Sequence, residues 1–187
     1  PVFAAVSSWK ASDASHQDFQ FPSGAIEVKT TSAKRPHTVR ITSERQLDGT
    51  GVGSLYLHVL VVDEREVPSD PGGAGLTLPE IIAQLRAFLA AEPQSASLFD
   101  DRLLHAGWVD SAASHYESRR WTIRREQTFQ VSGSFPRITE TMLPAGIGDV
   151  SYALDLEACN EFAMDIATVL TALAGGTSFD RTLATEM

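Results

Sequence analysis

The sequence predicts an α/β fold, and three observations carry that prediction. A hairpin pattern runs from Asp18 to Thr31, an almost wholly apolar strand follows from Ser54 to Val62, and amphipathic helical stripes occupy residues 78–91 and 156–175. Strand-like and helix-like periods therefore alternate within one chain of 187 residues, a length that suits one domain with a sound core.

The elements follow in order. Phe3, Val6 and Trp9 are spaced for a helix over residues 2–9. The chain starts with proline inside this pattern, which reads as a domain spanning 1–187 that lacks part of its N-terminal region. Pro22-Ser23-Gly24 is turn chemistry: proline pre-sets φ and glycine tolerates the exit conformation. Pairing Phe21 with Gly24 puts Phe19, Phe21, Ile26 and Val28 on one face and Asp18, Gln20, Glu27 and Lys29 on the other. A slip of one residue would bury charge beside aromatics, so the apolar pattern selects this register.

Residues 32–36 form a cationic turn, and Val39 and Ile41 alternate with Thr38, Arg40 and Thr42 as the next strand. Ser43 is a good cap for a short helix through Leu47. The glycine-rich run 48–53 precedes a strand rather than a helix, which argues against a phosphate-cradling loop. That strand, 54–62, is apolar on both faces and so belongs at the centre of its sheet. Residues 63–75 read as a surface loop.

Thr77-x-x-Glu80 is a capping box for a helix whose stripe is Leu78, Ile81, Ile82, Leu85, Phe88 and Leu89. A second helix over 96–106 ends at Gly107. Residues 118–131 read as a strand with a break near Glu126, and Arg119, Arg120, Arg124 and Arg125 are candidates to line a nucleic-acid groove or to guard a strand edge. After a short strand at 150–154, Asp155 caps one long helix with Leu156, Cys159, Phe162, Ile166, Leu170 and Leu173 as its stripe. Cys159 thus belongs to the core, and residues 176–187 read as a frayed tail.

The hairpin also gathers charge. Asp18 opposite Glu27 is a repulsive pair, with Cβ atoms roughly 5 Å apart, unless a cation lies between them. Lys29 supplies part of that charge; a divalent ion held by one or two carboxylates would supply more. The plainer alternative is a strand face carrying an ordinary salt bridge.

Asp18, a short spacer and Glu27-Val28-Lys29 on the next strand resemble the signature of the PD-(D/E)XK nuclease superfamily. Gly24 to Thr31, Ser43 to Asp48, Thr77 to Glu80 and Phe135 to Ile138 resemble, more narrowly, a bacterial family grouped with it. The resemblance covers residues from about 16 to 165, with Gln17 where the superfamily motif has proline. It implies a restriction-endonuclease-like core, a mixed β-sheet flanked by α-helices. It further implies a Mg²⁺- or Mn²⁺-dependent endonuclease that hydrolyses DNA in bacterial defence against foreign DNA, alongside partner proteins of a defence system. Asp18, Glu27 and the Val28 carbonyl would hold the metal, and Lys29 would orient water or stabilise charge. Arg40, Arg45 and Gln46 would contact substrate, against the alternative of a solvated face. The superfamily's opening helix often adds an acidic ligand, yet only Asp13 and Asp18 precede Glu27. A catalytically inactive subunit with the same fold, binding DNA or assembling with partners, is the alternative reading, and a ribonuclease a third.

Composition limits these readings. Net charge is −9, which disfavours a free-standing tight binder of polyanions. The charge is unevenly spread: residues 1–60 and 102–137 carry a surplus of Lys/Arg, and the remainder holds the excess acid. No apolar run is long enough for a membrane helix. One cysteine excludes an internal disulfide and fits a reducing cytoplasm. His16 shares the Asp18 face of the hairpin as an added ligand or a solvated residue, and no zinc spacing or serine elbow occurs.

Overall fold

A computed structural model describes residues 2–10, 15–35, 37–66 and 74–175 of the chain. Asp13, Pro36, most of the loop expected at 63–75 and the tail 176–187 lie outside the described residues. Helix α1 spans Val2–Ser8, and the hairpin strands β1 and β2 span Phe19–Phe21 and Gly24–Thr31. Strands β3 (Thr38–Ile41) and β4 (Ser54–Glu66) come next, then helices α2 (Leu78–Leu89) and α3 (Pro93–His105). Strands β5 (Arg119–Gln130), β6 (Tyr152–Asp155) and β7 (Ala163–Met164) lead to helix α4 (Ile166–Leu173).

Five strands form one mixed sheet in the order β1-β2-β4-β5-β7, in which β2 and β4 run parallel and the other pairs antiparallel. Helices flank this sheet, giving an α/β fold consistent with a restriction-endonuclease-like arrangement. Strand β4 lies centrally between β2 and β5: Leu55, Leu57, Val59 and Val61 on one face are each 3 % exposed or less, and Tyr56 and Val62 on the other are each 6 %. Strands β3 and β6 pair separately as a two-stranded sheet.

Three cores follow from these faces. Ala25, Leu57, Val59 and Phe129 on one face of the main sheet pack with Val39, Ile41 and Leu154 of the small sheet. On the opposite face Ile26 and Tyr56 meet Val169 and Leu173 of α4, joined by Phe19, Phe21 and Val28. Ile82, Leu89, Phe99, Leu103 and Trp108 form a helical core against which Val6 and Trp9 pack. The capping box of α2 is complete: Thr77 accepts from the Glu80 backbone and Glu80 accepts from the Thr77 N–H. Gly107 has φ +89°, which ends α3 as expected of a left-handed C′ residue.

Several expectations are corrected. Residues 44–47 are successive turns and not a helix: the Ser43 hydroxyl accepts from Arg45 N two residues on and closes a tight local loop. Strand β4 continues to Glu66, its outer half pairing with β5. Phe88 is 46 % exposed although it lies on the expected stripe of α2. The irregularity in β5 falls at Arg124, where the pairing with β4 shifts between Val61 and Val62.

The long C-terminal helix is divided into a 3₁₀ turn over Leu156–Phe162, the short strand β7 and α4. Its apolar residues serve opposite faces of the sheet: Leu156, Cys159 and Phe162 join the first core, and Val169, Leu170 and Leu173 the second. A continuous helix could not reach both, so the chain passes along the β5 edge and starts again with Asp165 as cap. Cys159 is fully buried, and burial pushes its thiol up to about 11, which suits a core residue and not a nucleophile.

Candidate functional site

The hairpin ladder pairs Phe19 with Ile26, Gln20 with Ala25 and Phe21 with Gly24. One step beyond the ladder, Asp18 falls across from Glu27. The Asp18 side chain extends the pairing itself, as Oδ2 accepts from Val28 N at 2.7 Å. Its backbone N–H in turn helps hold the Glu27 carboxylate. A residue with a short carboxylate therefore ends β1 and stays beside the middle of β2.

Glu27 alternates with Ala25 along β2, so it points into the face covered by the β3–β6 sheet. It is 1 % exposed, among the least accessible charged residues described. Lys29 leaves the same face two residues later, and its Nζ lies 2.7 Å from Glu27 Oε1. At that distance the ammonium neutralises part of the Glu27 charge through a charge-assisted contact. Burial dominates the Glu27 carboxyl and, with the nearby Asp18 charge adding to it and Lys29 opposing, raises it to about 7. Asp18 and Lys29 remain partly open to solvent, so Glu27 forms the closed floor of the group.

A divalent cation is tested by this geometry. A buried carboxyl driven up by desolvation and a neighbouring carboxylate, with one ammonium to offset both, is a position short of positive charge. Two carboxylates and a main-chain carbonyl at Val28 offer the hard oxygen donors that Mg²⁺ takes while retaining several waters. The donor set fits. Among the described residues no cluster of three or more His, Cys, Asp or Glu side chains occurs, so the two carboxylates stand without a third acidic ligand. Helix α1 contributes none: its sequence, VFAAVSS, contains no acid.

The three residues expected to contact substrate are not brought together. Arg40 lies on β3 and is exposed, with Nε donating to Ser151 Oγ at 2.9 Å. Arg45 lines a different cleft, of about 480 Å³, and pairs with Glu140 at 3.3 Å. Gln46 is spent locally, its side-chain oxygen accepting from Thr42 N and Thr42 Oγ1. His16 is exposed and lines the Arg45 cleft. None of the three clefts, of about 480, 450 and 700 Å³, is lined by Asp18, Glu27 or Lys29.

Three of the four β5 arginines take acidic partners on neighbouring elements. Arg119 pairs with Glu64, Arg124 with Asp63, and Arg120 with Glu80 and the Gly75 carbonyl. They neutralise the acidic end of β4 and tie the start of α2 to the sheet.

Two residues around the site give no signal in the sequence. Gln17, 5 % exposed, donates its amide to the Arg45 carbonyl at 3.0 Å and so fastens the 44–47 turn beside Asp18. Glu44, 2 % exposed, accepts from Val150 N at 2.8 Å. Backbone N–H groups, including its own and those of Val150 and Asp149, hold its carboxyl below the usual range. Asp149 has φ +56°, so Glu44 secures a sparsely populated backbone conformation leading into β6. Both pairings link distant segments, and no local spacing announces them.

No helix among the described residues is long and apolar enough to cross a membrane. Comparison with curated proteins and with solved structures returns no significant match. A family model does match, over residues 2–157, which take in the hairpin, both sheets apart from β7, and the first three helices. The chain belongs to that family, described as "Putative PD-(D/E)XK family member (DUF4420)", a nuclease-like family.

Proposed function

We propose that the chain is a divalent-metal-dependent endonuclease acting on DNA phosphodiester bonds, with Asp18, Glu27 and Lys29 as its central residues. The observation that carries this reading is the buried Glu27 carboxyl, 1 % exposed and held beside Asp18 with Lys29 Nζ at 2.7 Å. Asp18, Glu27 and the Val28 carbonyl would hold Mg²⁺ or Mn²⁺, in keeping with the general use of divalent metals by PD-(D/E)XK nucleases. When bound, such an ion lowers the pKa of a water and polarises a phosphoryl oxygen.

The chain's own residues do the rest. Asp18 has one oxygen, Oδ2, fixed by the Val28 N–H, and its charge lies close enough to Glu27 to be felt there. Glu27 is kept from water, which strengthens its attraction for a cation. Lys29 stays partly exposed and positions a proton-donating ammonium where charge develops on phosphorus.

Lys29→Ala separates this chemistry from folding. Purified wild type should nick supercoiled plasmid with Mg²⁺ or Mn²⁺ and not with EDTA, and Lys29→Ala should lose nicking while keeping its circular dichroism spectrum. Undiminished nicking by that variant removes the assignment.

A second reading has its own observation. Glu27 is 1 % exposed and the clefts of about 480, 450 and 700 Å³ are not lined by the three residues, an arrangement that also suits a subunit retaining the fold without cleaving. A silent Mn²⁺ titration beside a stable complex with a partner protein would favour it.

A further inference from the structure

Between the C-terminal end of β2 and the β3–β6 sheet lies a cleft of about 700 Å³, within the size range of ligand sites, roughly 300–1,000 Å³. Arg40 and the hydroxyls of Thr30, Thr31, Ser32, Thr38, Ser151 and Tyr152 supply its polar lining. That lining holds six hydroxyls besides one guanidinium, and no carboxylate. The two other clefts each include Asp48, and the one beside Arg45 also includes Glu140. In a chain of net charge −9, an acid-free lining around an arginine suits an anion.

The position of the cleft adds to its chemistry. Thr31 follows Lys29 on the same strand face, two residues or roughly 7 Å away. Arg40 is exposed, and Ser151 Oγ holds its Nε at 2.9 Å. Its two terminal nitrogens have no partner among the described residues, whereas Arg45 is paired with Glu140 and Arg137 donates to the Leu47 carbonyl. The guanidinium is thus oriented yet available.

We propose that this cleft holds the phosphodiester backbone of the polynucleotide strand that flanks the phosphate at Lys29. Arg40 and the threonine and serine hydroxyls bond phosphate oxygens there and read no bases, since such contacts fix register and carry no sequence information. The proposal rests on the nuclease reading for what lies at Lys29, and binding can be measured without cleavage.

The test is fluorescence anisotropy with labelled single-stranded DNA, duplex DNA and single-stranded RNA of one sequence, in EDTA, over a series of salt concentrations. Arg119→Ala, which removes equal charge from a surface far along β5, is the control. Arg40→Ala should weaken binding of the preferred strand about tenfold and lower the salt slope by about 1, whereas Arg119→Ala should change affinity less than about twofold. Ser151→Ala, which alters no charge, should weaken binding less than Arg40→Ala does. The three nucleic acids identify which backbone the cleft takes.

Equal losses in Arg40→Ala and Arg119→Ala would overturn the proposal, as would absence of binding by the wild type at low salt. If the wild type nicks plasmid and Arg40→Ala changes neither affinity nor KM, the cleft assignment fails and the hydrolytic reading stands. If the wild type does not nick but Arg40→Ala loses binding, the reverse holds.

Discussion

Lys29 Nζ stands 2.7 Å from Glu27 Oε1, two residues apart on one strand, with the lysine side chain 16 % exposed and the glutamate 2 %. A carboxylate that has lost its water is stabilised only partly by one ammonium, because removing both charges from water costs several kcal/mol per ion. The same pair therefore costs stability and concentrates negative potential, and the two consequences can be measured separately.

The first is a pH dependence. Glu27 is raised from an ordinary value near 4.5 to about 7, so the folded state holds its proton more tightly than the unfolded chain does. Its contribution to stability is fully present below about pH 4.5, declines as pH rises, and is lost above about 7. The loss is on the order of 3 kcal/mol. Urea unfolding of wild type and Glu27→Gln should show the variant gaining relative stability between pH 4.5 and 7.5; parallel curves would contradict the assignment. Lys29 is unpaired in the variant and faces a neutral Glu27 in acid, so the change across pH isolates the ionisation of Glu27.

Removing the ammonium has the opposite emphasis. Lys29→Met should destabilise the protein at pH 8 by about 2 kcal/mol and far less at pH 5, where Glu27 is protonated in both proteins. In a Glu27→Gln background the same substitution should cost little at either pH, which a double-mutant cycle by urea denaturation reads directly. A pH-independent loss would mean that Lys29 acts through packing of its aliphatic stem.

The hairpin turn supplies a structural prediction. Gly24 opens β2 opposite Ser54, and a Cβ there would collide with the Ser54 carbonyl oxygen and lie 2.9 Å from Leu173 Cδ2. Gly24→Ala must then push β2 from β4 or α4 from both, at a cost of roughly 2 kcal/mol or more. A melting temperature within a degree of wild type would contradict this close approach.

The hairpin was legible because a period of two and a two-residue turn leave only one register that keeps Phe19 and Phe21 away from Glu27. The capping box was legible because Thr77 and Glu80 act on each other locally. Leu156 to Leu173 misled because both halves satisfy one helical period, and nothing in the spacing tells which face of a sheet each half covers. Ser43 misled because the hydroxyl that caps a helix also closes a tight turn. The partners of Arg119 and Arg124 depend on the alignment of β5 with β4 across the bulge, which residue types do not reveal.

At the candidate site the proximity of Asp18 and Glu27 follows from the turn alone. The depth of Glu27 does not, because Val39, Ile41 and Leu154, in the core on its side of the sheet, come from strands outside the hairpin. That depth is what turns a surface ion pair into a carboxyl titrating near neutrality.

The most direct test of the account is an anomalous difference map from crystals soaked in Mn²⁺ at pH 8. A peak bonded to carboxylate oxygens of both Asp18 and Glu27, absent from Glu27→Gln crystals, is the predicted result. An empty position between those carboxylates, at a concentration where Mn²⁺ occupies other acidic groups of the same crystal, would contradict it.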